Sequence, residues 1–333
     1  MFLDGRRGFW RIFCAIGLVT LVLGCQGGEH ESSSSDTPIS VRSDRLLSVA
    51  HSGSQIVVVG ARGVVISSSD GGQNWSRDIL RVAETVITPS LISITSCPDG
   101  SFAALDAERH IWVSKDGTGG WTPQVLETME NPMAITCDWT GNYWVVGSFS
   151  TLWTSADQGA SWREQSFNDD LIFTTVQFPA PGEGIITGEF GAFLVSHDGG
   201  KTWLRDHDIP NEFYPEAAFF QRDARVGWVS GLNGIIMHTV DGGASWVREK
   251  TGVAAPLYGF AAGLDVIYAV GDQGVVLRRS GEQWDIASKR ITFTYLSSGM
   301  VLDNGDLLVV GGNGAFELFE FEPKVVAVEM RGN

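Results

Sequence analysis

Gly227-Trp228-Val229-Ser230-Gly231-Leu232-Asn233-Gly234-Ile235, followed by Thr239-Val240-Asp241-Gly242-Gly243-Ala244-Ser245-Trp246, is the stretch that decides the fold. A short run rich in β-branched and aromatic residues ends on a glycine. A Gly-x-x-Gly turn follows, and a second run leads into Thr-x-Asp-x-Gly-x-x-Trp. Each part marks a piece of a β-meander: strand, tight turn, strand, closed hairpin. In the last piece a short Asp side chain accepts turn N–H groups and Gly tolerates a positive φ. The hydroxyl adds a bond, and Trp covers the turn with a large apolar face.

Working outward, the same unit recurs along the chain. Strand-like runs end at Gly60, Asp106, Gly147, Gly188, Gly231, Gly271 and Gly311, in steps of 46, 41, 41, 43, 40 and 40 residues. Five of them continue as Gly-x-x-Gly, namely Gly60/Gly63, Gly188/Gly191, Gly231/Gly234, Gly271/Gly274 and Gly311/Gly314. The Asp-bearing box appears as Ser68/Asp70/Gly72/Trp75, Ser155/Asp157/Gly159/Trp162, Ser196/Asp198/Gly200/Trp203 and Thr239/Asp241/Gly243/Trp246. Ser114/Asp116/Trp121 is a variant with Thr118 at the Gly place. The sixth repeat keeps only Trp284, and the seventh has no box. Four strands per unit, repeated seven times, predict an all-β chain folded as a seven-bladed propeller over residues 43–333.

Charge narrows the partners. The 333 residues carry a net charge of −16, and residues 1–24 hold one Asp and three Arg, so the remainder stands at −18. No basic footprint for nucleic acid or anionic lipid heads is present. Residues 1–24 read as a signal peptide: Arg6, Arg7 and Arg11, then the apolar run Ile12 to Leu23, then Gly24-Cys25. Arg6-Arg7 is compatible with twin-arginine as well as general export. Leu21-Val22-Leu23-Gly24-Cys25 resembles a lipobox, which makes Cys25 the acylated first residue of the mature chain. Gln26 in place of Asp implies an outer-membrane lipoprotein facing the periplasm. Residues 25–42 are expected to be a flexible tether, reaching roughly 20–25 Å from the bilayer. Cys97 and Cys137, each at the end of the innermost strand of adjacent repeats, are read either as a disulfide or as two buried thiols.

The Ser-x-Asp-x-Gly-x-x-Trp boxes resemble the bacterial neuraminidase repeat. The fuller unit from Gly227 to Trp246 resembles the photosystem II assembly and stability factor family. That resemblance implies an exported seven-bladed propeller with lipid-anchored relatives, acting without catalysis or cofactor as a scaffold or assembly factor for a membrane protein complex, and monomeric. The arginine-rich patch associated with the family is not recognisable; the one Arg-Arg pair in the mature chain is Arg278-Arg279.

The alternatives are a glycan-binding module or a sialidase-like hydrolase, which uses a Tyr nucleophile and a three-arginine clamp. The early Arg-Ile-Pro motif of those enzymes is absent from the mature chain, and no catalytic residue is assigned. The histidines lack metal-ligand spacing, so no metal site is expected. In propellers of this build the Gly-x-x-Gly turns share a face with the inter-blade loops, and the boxes lie opposite. The candidate partner-binding face therefore collects Arg62, Arg109, Glu189, Asn233, Asp272 and Asn313 at turn tips, with Phe213 and Tyr214 beside them. Inter-blade acids Glu127, Glu130, Asp169, Asp170, Asp208 and Glu212 surround these.

Overall fold

The computed structural model describes residues 38–210, 213–263, 265–288 and 294–320. The export signal, Cys25, Glu212 and most of the expected tether lie outside these residues. The strands group into seven antiparallel meanders. Blade 1 is Leu46–Ser52, Gln55–Gly60, Val64–Ser68 and Ser76–Ile79. Blade 2 is Leu91–Ser96, Phe102–Asp106, His110–Ser114 and Thr122–Val125. Blade 3 follows as Pro132–Cys137, Tyr143–Gly147, Thr151–Ser155 and Arg163–Ser166. Blade 4 is Phe173–Ala180, Glu183–Gly188 and Phe193–Ser196, and blade 5 is Pro215–Phe220, Gly227–Gly231, Ile236–Thr239 and Val247–Glu249. Leu257–Ala262, Ile267–Gly271, Val276–Ser280 and Gln283–Ile286 form blade 6; Leu296–Val301, Leu307–Gly311 and Phe316–Phe319 form blade 7.

The second strand of every blade is the most buried, because both of its faces pack on neighbouring blades. Val57, Val58 and Val59 are fully buried, as are Leu307 to Val310. Such runs are continuously apolar rather than alternating. Their terminal glycines have a steric reason. A Cβ on Gly311 would run into the carbonyl oxygen of Tyr295, just before the innermost strand.

The ring closes without a shared strand among the described residues. The innermost strand of each blade packs on that of the next, and Leu296–Val301 returns to Leu46–Ser52. Side chains stitch this inner ring. Ser297 Oγ donates to Leu46 O at 2.7 Å, Ile94 N to Ser48 Oγ at 3.3 Å, and Ile135 N to Ser93 Oγ at 3.3 Å.

Two expectations need correction. Among the described residues blades 4 and 7 show three strands rather than four, and in blade 4 only Leu204 bridges to Val195. Arg205 then clamps Asp208 with Nε at 2.7 Å and Nη2 at 2.9 Å, and reaches Asp169 at 3.0 Å, which turns the chain away from the sheet. The tether boundary also moves. Residues 38–42 are not loose: Ile39 packs on the core between blades 7 and 1, and Ser40 Oγ donates to Gly314 O at 2.7 Å. Asp44 is buried at 2% exposure, accepting from Val41 N and pairing with Arg77 at 2.8 Å.

Candidate functional site

The two ends of the propeller differ in kind. At one end lie the boxes, whose hydrogen bonds are local. In blade 1, Gly72 N donates to Ser68 Oγ at 2.9 Å and Asn74 N to Asp70 Oδ1 at 2.9 Å. Ser68 Oγ donates to Asp70 Oδ1 at 2.8 Å, and Trp75 Nε1 to Gly72 O at 2.9 Å. Blade 3 copies the whole set: Gly159 N donates to Ser155 Oγ at 2.8 Å, and Trp162 Nε1 to Gly159 O at 3.0 Å. Blades 4 and 5 repeat the hydroxyl's and carboxylate's parts, with Gly200 N on Ser196 Oγ and Gly243 N on Thr239 Oγ1. Hydrogen bonds from the following turn hold the carboxyls of Asp70, Asp157, Asp198 and Asp241 down at about 2. In the four full boxes the residue before Trp, which sequence reading passed over, joins in: Asn74, Ser161, Thr202 and Ser245 each bond the second carboxylate oxygen. In blade 2 the register slips. Gly117, not residue 118, donates its N–H to Ser114 Oγ at 3.0 Å, and Asp116 accepts from Thr118.

The reading of each box as a self-contained turn, with Trp as its own lid, needs correction. The boxes are also cogs between blades. In blade 3, Gly159 faces Gln124 of blade 2, whose Cβ would lie 3.3 Å from a Cβ added there, and Trp162 packs on the core shared by those two blades. In blade 4, Trp203 serves the neighbouring strands more than its own turn. Its ring stands edge-on to Phe178 at 6.0 Å and to Trp144 of blade 3 at 6.1 Å, in space that Gly184 leaves free. Drawn there, Trp203 Nε1 has no hydrogen-bond partner among the described residues, and Trp246 Nε1, whose ring is edge-on to Phe193 at 5.3 Å, has none either. The Gly243 Cα abuts the ring of Phe193 in blade 4, and that of Gly200 abuts Trp144 in blade 3. Trp75 stands edge-on to Phe316 of blade 7 at 4.9 Å. This end is occupied by structural work.

At the opposite end, five blades carry a single three-residue helical turn with its middle residue in the left-handed region. Those residues are Arg62, Phe190, Asn233, Gln273 and Asn313, with φ of 60°, 57°, 57°, 57° and 52°. Arg109, at φ 69°, and Phe149, at φ 51°, hold comparable places in blades 2 and 3. Glu189 and Asp272 are therefore the first residues of their turns, not the tips. Glu189 accepts from Ile172 N at 2.9 Å and from the Tyr214 hydroxyl, and is committed to pinning the loop. Arg62 donates to Ser43 O at 2.8 Å.

Phe213 does not belong to this surface. It is 3% exposed and packs with Ile185, Phe193 and Phe220. Gly231 makes room for it, since a Cβ there would press on the Phe213 ring.

Tyr214, Tyr258 and Tyr295 gather where the innermost strands of blades 5, 6 and 7 begin, while Tyr143 and Tyr268 are core. The hydrogen bond to Glu189, then burial, then the charges of Glu189 and Glu216 push the Tyr214 phenol up to about 12. Burial, Asp272 and Glu216 raise Tyr258, and burial alone raises Glu216. Arg45 Nε donates to Tyr295 Oη at 3.3 Å. What sequence reading missed is apolar: Phe149 and Phe190 are 54% and 58% exposed, and Met129 is 89% exposed. The signal of the two phenylalanines lay in the repeat alignment, two residues after Gly147 and Gly188, where other repeats place polar residues.

Arg279, half of the one Arg-Arg pair, is spent inside the molecule. Its Nη2 bonds Glu249 Oε1 at 2.8 Å. Glu249 also accepts from Trp228 Nε1 of its own blade at 3.2 Å and, across the seam of blades 5 and 6, from Trp284 Nε1 at 2.7 Å. Glu249 is thus the centre of a buried network at 4% exposure. Asp206-His207-Asp208 forms no cation cage, because Asp208 is bound to Arg205, and among the described residues no three His, Cys, Asp or Glu side chains could hold a metal ion. Cys97 and Cys137 are joined as a disulfide between blades 2 and 3, with Cα atoms 5.2 Å apart.

Residues 154–318 match the model of the photosynthesis system II assembly factor YCF48 family. The photosystem II assembly protein Ycf48 of Thermosynechococcus vestitus is 26% identical over 208 residues, covering 60% of this chain and 57% of its own length. The photosystem II assembly lipoprotein Ycf48 of Synechococcus sp. strain CC9902 is 22% identical over 262 residues, covering 77% of each. A solved structure of YCF48 bound to D1 peptide superposes with a TM-score of 0.64 at 14% identity, over 84% of this chain and 95% of that one. By repeat, box and fold, the chain is a seven-bladed propeller, similar in sequence to the photosystem II assembly factors.

Proposed function

We propose that this chain is an exported accessory factor that works without catalysis, holding a segment of a membrane protein complex on the end built from the left-handed turns. The observation that carries the reading is the kinship to proteins named as photosystem II assembly factors, one of whose fold relatives was solved with a D1 peptide bound. The site agrees in kind, for the box side chains at one end are bonded into their own turns and the other end presents exposed tips, phenols and carboxylates. The client need not be photosystem II; a membrane protein complex of the bacterial envelope is the class proposed. Acylation of Cys25, attachment to the outer membrane on its periplasmic side, and a monomeric state complete the proposal.

In-cell cross-linking of the tagged, natively anchored protein tests it. Reproducible links from the Arg62 and Phe190 turns to one membrane complex are expected. Links confined to the box end, or none from abundant folded protein, would overturn the reading. Mass spectrometry should find the mature chain starting at an acylated Cys25; an intact Met1 terminus defeats the anchoring part alone.

A further inference from the structure

We infer that the end of blades 3 to 5 carrying Phe149, Phe190 and Leu232 docks a cationic segment of a partner protein that also presents an apolar anchor. This rests on the reading of that end as the working face.

Comparison between blades supplies the first argument. At the left-handed tip, blades 1, 2, 5, 6 and 7 place Arg62, Arg109, Asn233, Gln273 and Asn313. Blades 3 and 4 place phenylalanines, each more than half exposed. A bulky side chain at positive φ is disfavoured over Asn, and an aromatic ring in water gains nothing from folding. Folding rewards neither feature, and both occur at equivalent positions of neighbouring blades. Leu232, 40% exposed and one residue before the tip of blade 5, continues the arc, and Met129 stands on the loop that enters blade 3. Single surface hydrophobics are ordinary, but an arc across consecutive blades at one end marks an interaction site.

Charge distribution supplies the second. Arg45, Arg62 and Arg109 belong to blades 1 and 2. Around the apolar arc the sign reverses: Glu130, Asp170, Glu216 and Asp272 line blades 3 to 6 at the same end. Among the described residues of this sector Arg205 is already divided between Asp169 and Asp208, and exposed Lys250, which follows the outer strand of blade 5, is outnumbered by the acids. Anchors set in an acidic surround select a partner with lysines or arginines beside its apolar residue, whose cations meet both carboxylates and ring faces. Anionic lipid and nucleic acid are repelled by the same rim.

The test uses the full chain and fluorescence anisotropy with a fluorescein-labelled peptide rich in lysine and leucine. Its twin carries glutamate for every lysine. The lysine peptide should bind at least about tenfold more tightly than the twin, with an affinity that falls as salt rises. The double variant Phe149→Asn/Phe190→Asn should lose about tenfold or more in affinity with no loss of melting temperature, since Asn suits the left-handed tip. Asp170→Asn/Asp272→Asn should weaken binding and flatten its salt dependence. Equal binding of the twin, or full affinity in the double Asn variant, overturns the inference. Photo-cross-linking separates the two levels. A client captured by a photoreactive residue replacing Arg62 but never by one replacing Phe190 sinks this inference and leaves the broader function standing; capture from neither defeats both.

Discussion

Asp241 is almost fully solvated, yet its carboxylate accepts from Ser245 N at 2.8 Å, Ser245 Oγ at 2.6 Å and Thr239 Oγ1 at 2.8 Å. These bonds favour the charged form, which is why its pKa falls from 3.8 to about 2. The folded value lies below the unfolded one, so the stability this group contributes is complete above about pH 4 and lost as pH falls toward 2. Asp70, Asp157 and Asp198 act alike, so the melting temperature should drop steeply across that window. Asp241→Asn should blunt the drop and lower the melting temperature at neutral pH by a few degrees, read by circular dichroism. His238 behaves differently. Burial lowers its pKa, and this outweighs the pull of Glu249 at 3.2 Å. Its contribution is complete above about pH 6.5 and falls away below it; His238→Phe, which keeps a ring on Trp228, should remove that dependence. Phe190→Asn should stabilise the fold by about 1 kcal/mol in urea melts, by relieving the left-handed backbone. Residue-scale exposure was the least legible property of the sequence. Phe213 and Tyr214 are neighbours in one loop, and only the space left by Gly231 sends the first inward.

Among elements, legibility followed locality. The polar part of a box is closed within eight residues by its own side chains, and the second strands from Phe102–Asp106 to Leu307–Gly311 lie within a residue or so of where the glycine spacing puts them. What the sequence concealed depends on remote partners. Trp162 and Trp203 occupy the same place in their boxes, yet the first bonds its own turn and the second is claimed by Phe178 and Trp144. Residues 38–42 look unfoldable alone because their acceptor, Gly314 O, is 274 residues away. In blade 4 the loop that follows Leu204 is pinned by Arg205, which meets Asp169 across a separation of 36. Glu249, on the outer strand of blade 5, is buried only because blade 6 brings Arg279 and Trp284 to it. Glu249→Ala should cost about 3 kcal/mol or more, because it strands two indole N–H groups and a half-buried guanidinium. Glu249→Gln, which keeps an acceptor, should cost less; equal losses would show that the network contributes only volume.

As a whole, the molecule is a ring whose seams are not equal. Blades 2 and 3 are joined covalently by Cys97 and Cys137, 40 residues apart, whereas blades 7 and 1 meet through side-chain packing and hydrogen bonds such as Ser297–Leu46 and Arg45–Tyr295. Cys97→Ser should lower stability by about 2–4 kcal/mol, measured by denaturant unfolding under oxidising conditions, and added reductant should bring the parent to the same level. The chain also enters this ring at a telling place. Ser40 and Asp44 fasten the incoming strand to the Gly314 turn, on the end that carries Phe149 and Phe190 rather than the end that carries the boxes. Under the proposed anchoring, tension from upstream would enter the propeller at the rim of this end, and the Ser40–Gly314 fastening would pass it to blade 7 before it reached the first strand of blade 1.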